Sequence, residues 1–209
     1  MYRDGTIAKY LDDAAAGIPA PGGGSVSAFA GALATTMGSM AGNFTVGKKK
    51  FRDVEPQVKT IVDRLRALRM RLLEYTDADV DAYGVVSQAY GMPKDTPEEK
   101  STRTAKIQEA LVVAMAVPLK TVHTCAEVLG ELAALVDLAN PNLISDVGVS
   151  AILAEAALRG AKLNVEINLA YLKDAALVEA TAAEVNALAA DAAEACRGIV
   201  TTVEAKIKP

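Results

Sequence analysis

The sequence predicts an all-α fold, an elongated up-and-down bundle of about five long helices with a short helix at the N-terminus, in one domain over residues 1–209. Hydrophobic residues make up 51% of the chain while aromatic residues make up only 4%, and alanine is abundant. This composition is typical of helices. Apolar residues recur at steps of three and four, as on one face of a helix, and alternating strand patterns are rare.

Charge and cysteine content exclude several classes of protein. The net charge of -4 gives no electrostatic footprint for nucleic acid, and no basic amphipathic segment indicates binding to a membrane. Residues 1–16 carry charges where a signal peptide has an apolar core, and the only cysteines are Cys125 and Cys196. We therefore expect a cytoplasmic location. A single histidine, His123, argues against a histidine metal site.

Thr6 is a good N-cap for a first helix from Ile7 to about Ala16, which a proline- and glycine-rich loop ends. That loop, Pro19-Ala20-Pro21-Gly22-Gly23-Gly24-Ser25, is extended by its prolines and opens a second helix with Ser25 as the expected N-cap. Free N–H groups at a helix N-terminus favour an anion or a polar carbonyl. The candidate binding residues are Pro21, Gly22, Gly23, Gly24 and Ser25. The alternative, a flexible linker, is disfavoured because an apolar helix begins at Val26.

The second helix, expected from Ser25 to Val46, consists mainly of small residues. Its stripe allows another backbone to approach closely and consists of Ala28, Gly31, Thr35, Gly38, Gly42 and Thr45. Gly38-x-x-x-Gly42 has the spacing of membrane helix dimers, but the segment is only weakly hydrophobic, which favours a helix buried in a bundle. Gly47 fits the C′ position, and Lys48 follows at the negative helix end. Lys49 stands where a P-loop needs Ser or Thr, so we reject a P-loop here.

The third helix carries the clearest periodic signal. Its apolar seam consists of Val54, Val58, Ile61, Leu65, Leu68, Leu72, Tyr75, Ala82, Val86 and Ala89, and Asp79 is the one charged residue within it. At about 1.5 Å per residue this helix approaches 55 Å, whereas a compact chain of this size has a radius of gyration of about 17 Å. The excess length, together with the glycine stripe of the second helix, predicts a homodimer.

Thr96-Pro97-Glu98-Glu99 reads as a capping box that opens the fourth helix. Pro118 predicts either a kink or two helices end to end. His123 lies beside the apolar stripe, so we interpret it as a partly buried structural histidine. A second capping box, Thr181-x-x-Glu184, predicts the start of the last helix, which runs to about Ile207.

The fifth helix is expected to begin at Ser145-Asp146 and to turn polar groups towards the core. Its water-facing stripe is charged and consists of Glu155, Arg159, Lys162 and Glu166. The opposite face carries Asp146, Ser150, Ala157, Asn164 and Asn168. Asp146 has a structural alternative, because a carboxylate complements a helix N-terminus. The two asparagines could bridge to backbone, but unsatisfied amides on a buried face are costly, which favours a binding role.

Several motifs together resemble the cyclodeaminase/cyclohydrolase family of folate enzymes over nearly the whole chain. They are Pro19 to Ser25, Gly47-Lys48-Lys49, Asp79-x-x-Ala82-Tyr83, Pro93-Lys94, Asn142-x-x-Ser145-Asp146 and Asn164-Val165-x-Ile167-Asn168. Within the family, the stretch from Tyr90 to Leu119 is most similar to stand-alone methenyltetrahydrofolate cyclohydrolases. The resemblance implies an all-helical homodimer that takes a folate substrate and needs no metal or redox cofactor.

The implied reaction is hydrolysis of 5,10-methenyltetrahydrofolate to 10-formyltetrahydrofolate. Asp79 is the expected general base, since desolvation raises its pKa, and Asp146 is the second candidate. Asn164 and Asn168 would hold the pterin amide or the tetrahedral oxygen, and Lys48 the glutamate tail or a forming anion. Asn142 and Ser145 enter as substrate-binding residues through the family motif.

Three alternatives stay open from the sequence. One is a cyclodeaminase that releases ammonia from formimidoyltetrahydrofolate; family deaminases are often fused to a transferase, for which 209 residues leave no room. Another is a scaffold that binds folate without turning it over. A purely structural bundle would explain the seam and the caps, but not the inward Asp79 or the triple glycine.

Overall fold

A computed structural model describes residues 1–207, and within that range the chain is helical, with turns and no strand. The helices are α1 (Ile7–Ala15), α2 (Gly23–Asn43), α3 (Glu55–Tyr90), α4 (Pro97–Leu135), α5 (Ile144–Leu169) and α6 (Ala175–Ile207). Three short 3-10 turns cover Tyr2–Asp4, Lys49–Phe51 and Pro141–Leu143. The prediction of five long helices and one short helix is confirmed.

Helix α2 lies at the centre of the bundle, antiparallel to its neighbours α3 and α5. Its N-terminal Ser25 hydrogen-bonds to the Thr76 carbonyl late in α3. On its other side, the Ser150 hydroxyl near the start of α5 donates to the Ala34 carbonyl at 2.6 Å. Ion pairs from Arg64 and Arg71 of α3 to α4 run in the same antiparallel sense. The up-and-down order of the predicted bundle is therefore observed.

The glycines of α2 make its central position possible. A Cβ built on Gly38 would lie 2.6 Å from Leu132 Cδ2 and 3.1 Å from Leu65 Cδ1, so the side chains of α4 and α3 occupy that space. Gly31 likewise faces side chains of α3 and α4, and Gly42 faces side chains of α3. The glycine stripe is thus an internal contact, and its predicted use as the seat of a second copy is wrong.

Several predicted helix ends differ from the observed ones. Helix α2 begins two residues early, with Gly22 and not Ser25 as its N-cap. Pro118 lies inside one continuous α4, which excludes two helices placed end to end. Helix α6 begins at Ala175, where Asp174 Oδ1 accepts the Leu177 N–H at 3.1 Å, so the capping box predicted at Thr181 is wrong.

Other predictions are confirmed in detail. The Thr6 hydroxyl caps α1, and Thr96 with Glu99 forms the capping box of α4. The charged stripe of α5 contains two ion pairs, Glu155 with Arg159 and Lys162 with Glu166. His123 is half-buried, and its Nε2 lies 3.1 Å from Glu184 Oε1 on α6. That histidine links two helices.

The outward side of α2 and the adjoining side of α5 form an apolar surface, which we call the α2/α5 face. Over Gly23–Asn43, α2 carries no charged residue. The large hydrophobic residues exposed on this surface are Val26, Leu33 and Met40 of α2, Phe44 directly after α2, and Val149, Ile152, Leu163 and Ile167 of α5. Apolar patches of this extent mark interaction surfaces.

A possible membrane span is found in α4 and not in α2, although α2 has the glycine spacing of membrane helix dimers. Among residues 1–207, α4 is the one helix long and apolar enough to cross a membrane. Half of its most apolar window is buried against the other helices. A core helix of a bundle meets the same criterion, so this observation is weak support for a membrane span.

Candidate active site

A cavity of about 340 Å³ opens where the loop before α2 meets α3, α4 and α5. We call it the Asp79 pocket. Its lining consists of Pro19, Ala20, Gly22 and Gly23 from the loop and the start of α2, Asp79, Tyr83, Val86 and Tyr90 from α3, Leu111 and Ala114 from α4, and Asn164, Ile167, Asn168 and Tyr171 from α5 and its end. Its walls are mostly apolar and aromatic, which suits a small organic ligand.

Asp79 is the only charged residue in this lining. Its Oδ2 accepts the backbone N–H of Ser25 at 2.9 Å. Burial raises the pKa of Asp79 above its ordinary value, and the Ser25 N–H offsets part of that rise because it favours the carboxylate. The sequence predicted that the N-terminus of α2 would attract an anion. That anion is the chain's own carboxylate.

Gly24 leaves the space that the Asp79 carboxylate occupies. A Cβ on Gly24 would lie 2.1 Å from Asp79 Oδ1, far inside van der Waals contact. A Cβ on Gly23 would lie 3.0 Å from Asn164 Nδ2. The triple glycine therefore allows an acid and an amide to approach the backbone.

Ser25 connects Asp79 to the N-terminal segment. The Ser25 hydroxyl donates to the Thr76 carbonyl at 2.7 Å. Its oxygen also lies 3.0 Å from the hydroxyl of Tyr10, which must be the donor because the serine proton is already used. Tyr10 is buried, and its ring packs against Phe29. Sequence reasoning missed Tyr10, because nothing in the α1 pattern marks a long-range partner.

Asp77 is a second acidic residue that the sequence analysis missed. It is buried two residues before Asp79, and its Oδ1 accepts the Tyr2 N–H at 2.5 Å. Its Oδ2 accepts no hydrogen bond within residues 1–207, and Arg3 Nε lies 3.8 Å away. The contacts of Asp77 bind the N-terminal segment to α3, next to the pocket.

Asn164 and Asn168 both line the pocket, as predicted, but they are half-buried. The Asn164 amide donates to the Gly160 carbonyl at 2.9 Å, and the Asn168 amide donates to the Asn164 carbonyl at 2.7 Å. The backbone-bridging alternative thus accounts for one N–H of each side chain. In the part of the chain that the structure describes, neither amide oxygen accepts a hydrogen bond, so both are available to a ligand.

Four predicted site residues lie at the opposite end of α2, which is about 30 Å long. They are Lys48, Asn142, Ser145 and Asp146. Lys48, Asn142 and Ser145 are exposed, and Asp146 is half-buried. A hydrogen bond of 2.8 Å from the Asn140 N–H to the Thr45 hydroxyl holds the two segments of this end together. Within one chain, none of the four lines the Asp79 pocket.

Pro21 is buried below the loop and does not line the cavity, and the Ala20–Pro21 peptide bond is cis. The aromatic lining was also missed, since Tyr83, Tyr90 and Tyr171 are distant in sequence.

Residues 1–207 contain no group of three or more His, Cys, Asp or Glu side chains that could hold a metal ion.

Comparison with known proteins gives one consistent relationship. A family described as formiminotransferase-cyclodeaminase matches residues 6–187. Methenyltetrahydrofolate cyclohydrolase of Methylorubrum extorquens is 41% identical over 207 residues, which cover 99% of this chain and all of that protein. Formimidoyltransferase-cyclodeaminase of Rattus norvegicus is 32% identical over 97% of this chain but only 38% of its own length.

A solved structure extends the relationship to the fold. The crystal structure of formiminotetrahydrofolate cyclodeaminase from Thermotoga maritima superposes with a TM-score of 0.81 and 28% identity, covering 100% of this chain and 98% of that one. The similarity therefore covers the whole helical bundle, including every element that lines the Asp79 pocket.

Gly24→Ala is expected to expel the Asp79 carboxylate from its position on the Ser25 N–H, because the new Cβ overlaps Oδ1. In the unaltered protein, NMR titration of the carboxyl carbon should give a pKa above the ordinary value of about 3.9. In the variant, the pKa should return towards that value as the group reaches water.

Gly130→Ala is the matched control, since a Cβ on Gly130 meets nothing within 4 Å and that glycine also lies inside a helix. If the pKa of Asp79 were the same in Gly24→Ala and in Gly130→Ala, Gly24 would not be the residue that makes room for the carboxylate.

Proposed function

We propose, because the chain belongs to the formiminotransferase-cyclodeaminase family, that it hydrolyses 5,10-methenyltetrahydrofolate to 10-formyltetrahydrofolate. The observation that carries the proposal is the likeness to a methenyltetrahydrofolate cyclohydrolase over the full length of that protein. The identity to the cyclodeaminase is lower. The alternative reaction, deamination of formimidoyltetrahydrofolate, passes through the same bridging carbon and is decided by experiment below.

The Asp79 pocket supplies what this reaction needs. The substrate is an amidinium cation, and water adds to its bridging carbon. The added water loses a proton, and the ring of the adduct then opens. A half-buried carboxylate with a raised pKa is a suitable acceptor for that proton. The bound cation would lower the pKa of Asp79 again, which keeps the carboxylate ionised when water attacks. Asp79 is therefore the proposed general base.

Charge attraction alone would not accelerate this step. The positive charge of the substrate fades as water adds, so a carboxylate that only attracted the cation would favour the ground state. The free amide oxygens of Asn164 and Asn168 provide interactions with the pterin edge and with the adding water. The flat rings of the substrate would pack against Tyr83 and the apolar side chains of Val86 and Leu111.

A homodimer completes the proposal. The α2/α5 face leaves α2, a helix without charges, half-exposed to water, and a second copy of the same face is the occupant that would bury it. Ile167 belongs to this face and also lines the Asp79 pocket. The pocket therefore lies at the edge of the proposed interface.

Such a dimer would also give Lys48 and Asp146 a role. A two-fold axis perpendicular to α2 lays each end of the helix beside the opposite end of its copy. The end that carries Lys48, Asn142, Ser145 and Asp146 would then approach the Asp79 pocket of the partner subunit. We retain these residues as site candidates on this condition.

The proposed hydrolysis needs water and a proton acceptor and involves no metal or other cofactor. A cytoplasmic location fits the two free cysteines, of which Cys125 is buried with its thiol pKa raised to about 12 by desolvation.

The reaction is tested by supplying purified protein with each substrate separately. Loss of the methenyl chromophore should be accelerated well above the buffer rate, while ammonia release from formimidoyltetrahydrofolate should be slow. Rapid ammonia release without methenyl hydrolysis would reverse the assignment. Folate binding with neither reaction would support a scaffold without turnover.

Asp79→Asn should leave the fold intact and lower kcat about 10²- to 10⁴-fold, the range for removal of a general base. Because the pKa of Asp79 is raised in the folded state, its ionisation opposes folding, and that cost grows as the pH rises through the raised value. The variant should therefore unfold at no lower temperature than the unaltered protein at pH 7.

The matched control for this substitution is Asp81→Asn, two residues further along α3 and exposed. Unchanged turnover in folded Asp79→Asn protein would assign the base elsewhere.

The dimer is tested by sedimentation. The unaltered protein should sediment as a dimer at micromolar concentration, and Leu33→Asp should give a monomer because it places a charge in the centre of the α2/α5 face. Val113→Asp is the control, since Val113 is at least as exposed as Leu33 but lies on α4. A monomeric unaltered protein would overturn the proposed assembly.

A further inference from the structure

We propose that Arg103, with support from Lys173, binds the glutamate carboxylates of the folate substrate at the outer end of the Asp79 pocket. The outer end is the part lined by Tyr90 and Tyr171. This inference rests on the proposed function, and it assigns a binding role to one side chain that contacts the lining residue Tyr90 and to another two residues after the lining residue Tyr171.

Arg103 is fixed against the pocket wall. Its Nη2 and Nε donate to the Tyr90 carbonyl at 3.0 and 3.3 Å, and its guanidinium carbon lies 5.6 Å from the centre of the Tyr90 ring. A guanidinium has five N–H donors, so these two bonds leave three unused. The tyrosine contacts hold the group in place and leave it able to grip a carboxylate.

The charge of Arg103 is not neutralised by its neighbours. Within residues 1–207 it forms no ion pair. The acidic residue one turn before it, Glu99, directs its Oε2 to the backbone N–H groups of Asp95 and Thr96. The half-buried guanidinium is thus a cation with free donors beside a ligand cavity.

Lys173 approaches the same end of the pocket from the other side. The loop after α5 is fastened to Gln108 of α4, which donates to the Tyr171 carbonyl at 3.0 Å and accepts the Lys173 N–H at 2.7 Å. The Lys173 side chain is exposed and forms no ion pair with any group among residues 1–207. The adjacent Asp174 is engaged with the N-terminus of α6.

Within one chain, among residues 1–207, the other end of the pocket offers no such cation. Near the loop before α2, Arg3 lies against Asp77, and Lys9 is paired with Asp13 at 2.7 Å. Asp79 itself attracts the amidinium and repels carboxylates. The charges therefore orient the substrate in one direction, with its cationic centre at Asp79 and its anionic tail towards Tyr90.

The length of the pocket agrees with that orientation. Tyr90 follows Asp79 on α3 by a rise of about 16 Å along the helix axis. By ordinary bond lengths, the glutamate carboxylates lie roughly 10–13 Å from the bridging carbon of the substrate. The remaining distance is within the reach of the Asp79 and Arg103 side chains.

The test compares two substrates on the unaltered protein and on three variants. One substrate is 5,10-methenyltetrahydrofolate, and the other is 5,10-methenyltetrahydropteroate, which has the same reacting centre and no glutamate. For Arg103→Gln, we expect KM for the folate to rise about tenfold with kcat within twofold, and KM for the pteroate to stay unchanged. Lys173→Gln should likewise raise KM for the folate and not for the pteroate, but by a smaller factor. Arg103→Lys should recover part of the loss.

Arg197→Gln is the control for the change in net charge, because Arg197 is exposed on α6, which contributes nothing to the pocket lining. An equal rise in KM for both substrates, or a fall in kcat with lower thermal stability, would show that Arg103 only fastens the end of α3. Unchanged kinetics would also overturn the inference.

Failure of the proposed function would be distinguishable, since the unaltered protein would then hydrolyse neither substrate. If it deaminated formimidoyltetrahydrofolate instead, the same comparison could be made with that folate and its pteroate, because the tail is identical.

Discussion

The hydrogen bond between the Ser25 N–H and the Asp79 carboxylate is the contact on which the site depends. It joins the first turn of α2 to the C-terminal half of α3, and it exists only because Gly24 has no Cβ to fill the space of Oδ1. The apolar walls around it raise the pKa of the acid, and one backbone donor limits that rise. The loop, the glycines and the central position of α2 are all required for this one approach.

Much of the fold was predictable because local signals agreed with each other. The capping residues Thr6 and Thr96, the seam of α3 and the stripe of charges on α5 each reported a local property that the bundle preserves. Where a strong local pattern competed with tertiary contacts, prediction failed. Thr181 has the spacing of a capping box, but it is buried within α6, because Asp174 already caps that helix about two turns earlier.

The candidate site was predictable only in part, for a similar reason. Asp79 was recognisable as a charge on an apolar seam, and Asn164 and Asn168 as polar groups on an inward face. Tyr10 was not recognisable, since its role depends on a contact across many residues to Ser25. The glycine stripe was misassigned because close approach identifies a neighbour without saying which chain supplies it, and Gly38 meets Leu132 of its own chain.

The distribution of charge around the pocket gives it a direction. A carboxylate in a low-dielectric wall stabilises a cation at one end, while the nearest cations with free donors lie beyond Tyr90 and Tyr171 at the other. A ligand that carries both signs of charge can satisfy both ends in only one orientation, and reversal would bring like charges together. The acid that accepts the proton would therefore also select the orientation that brings the reacting carbon to it, so binding and catalysis would share one constraint.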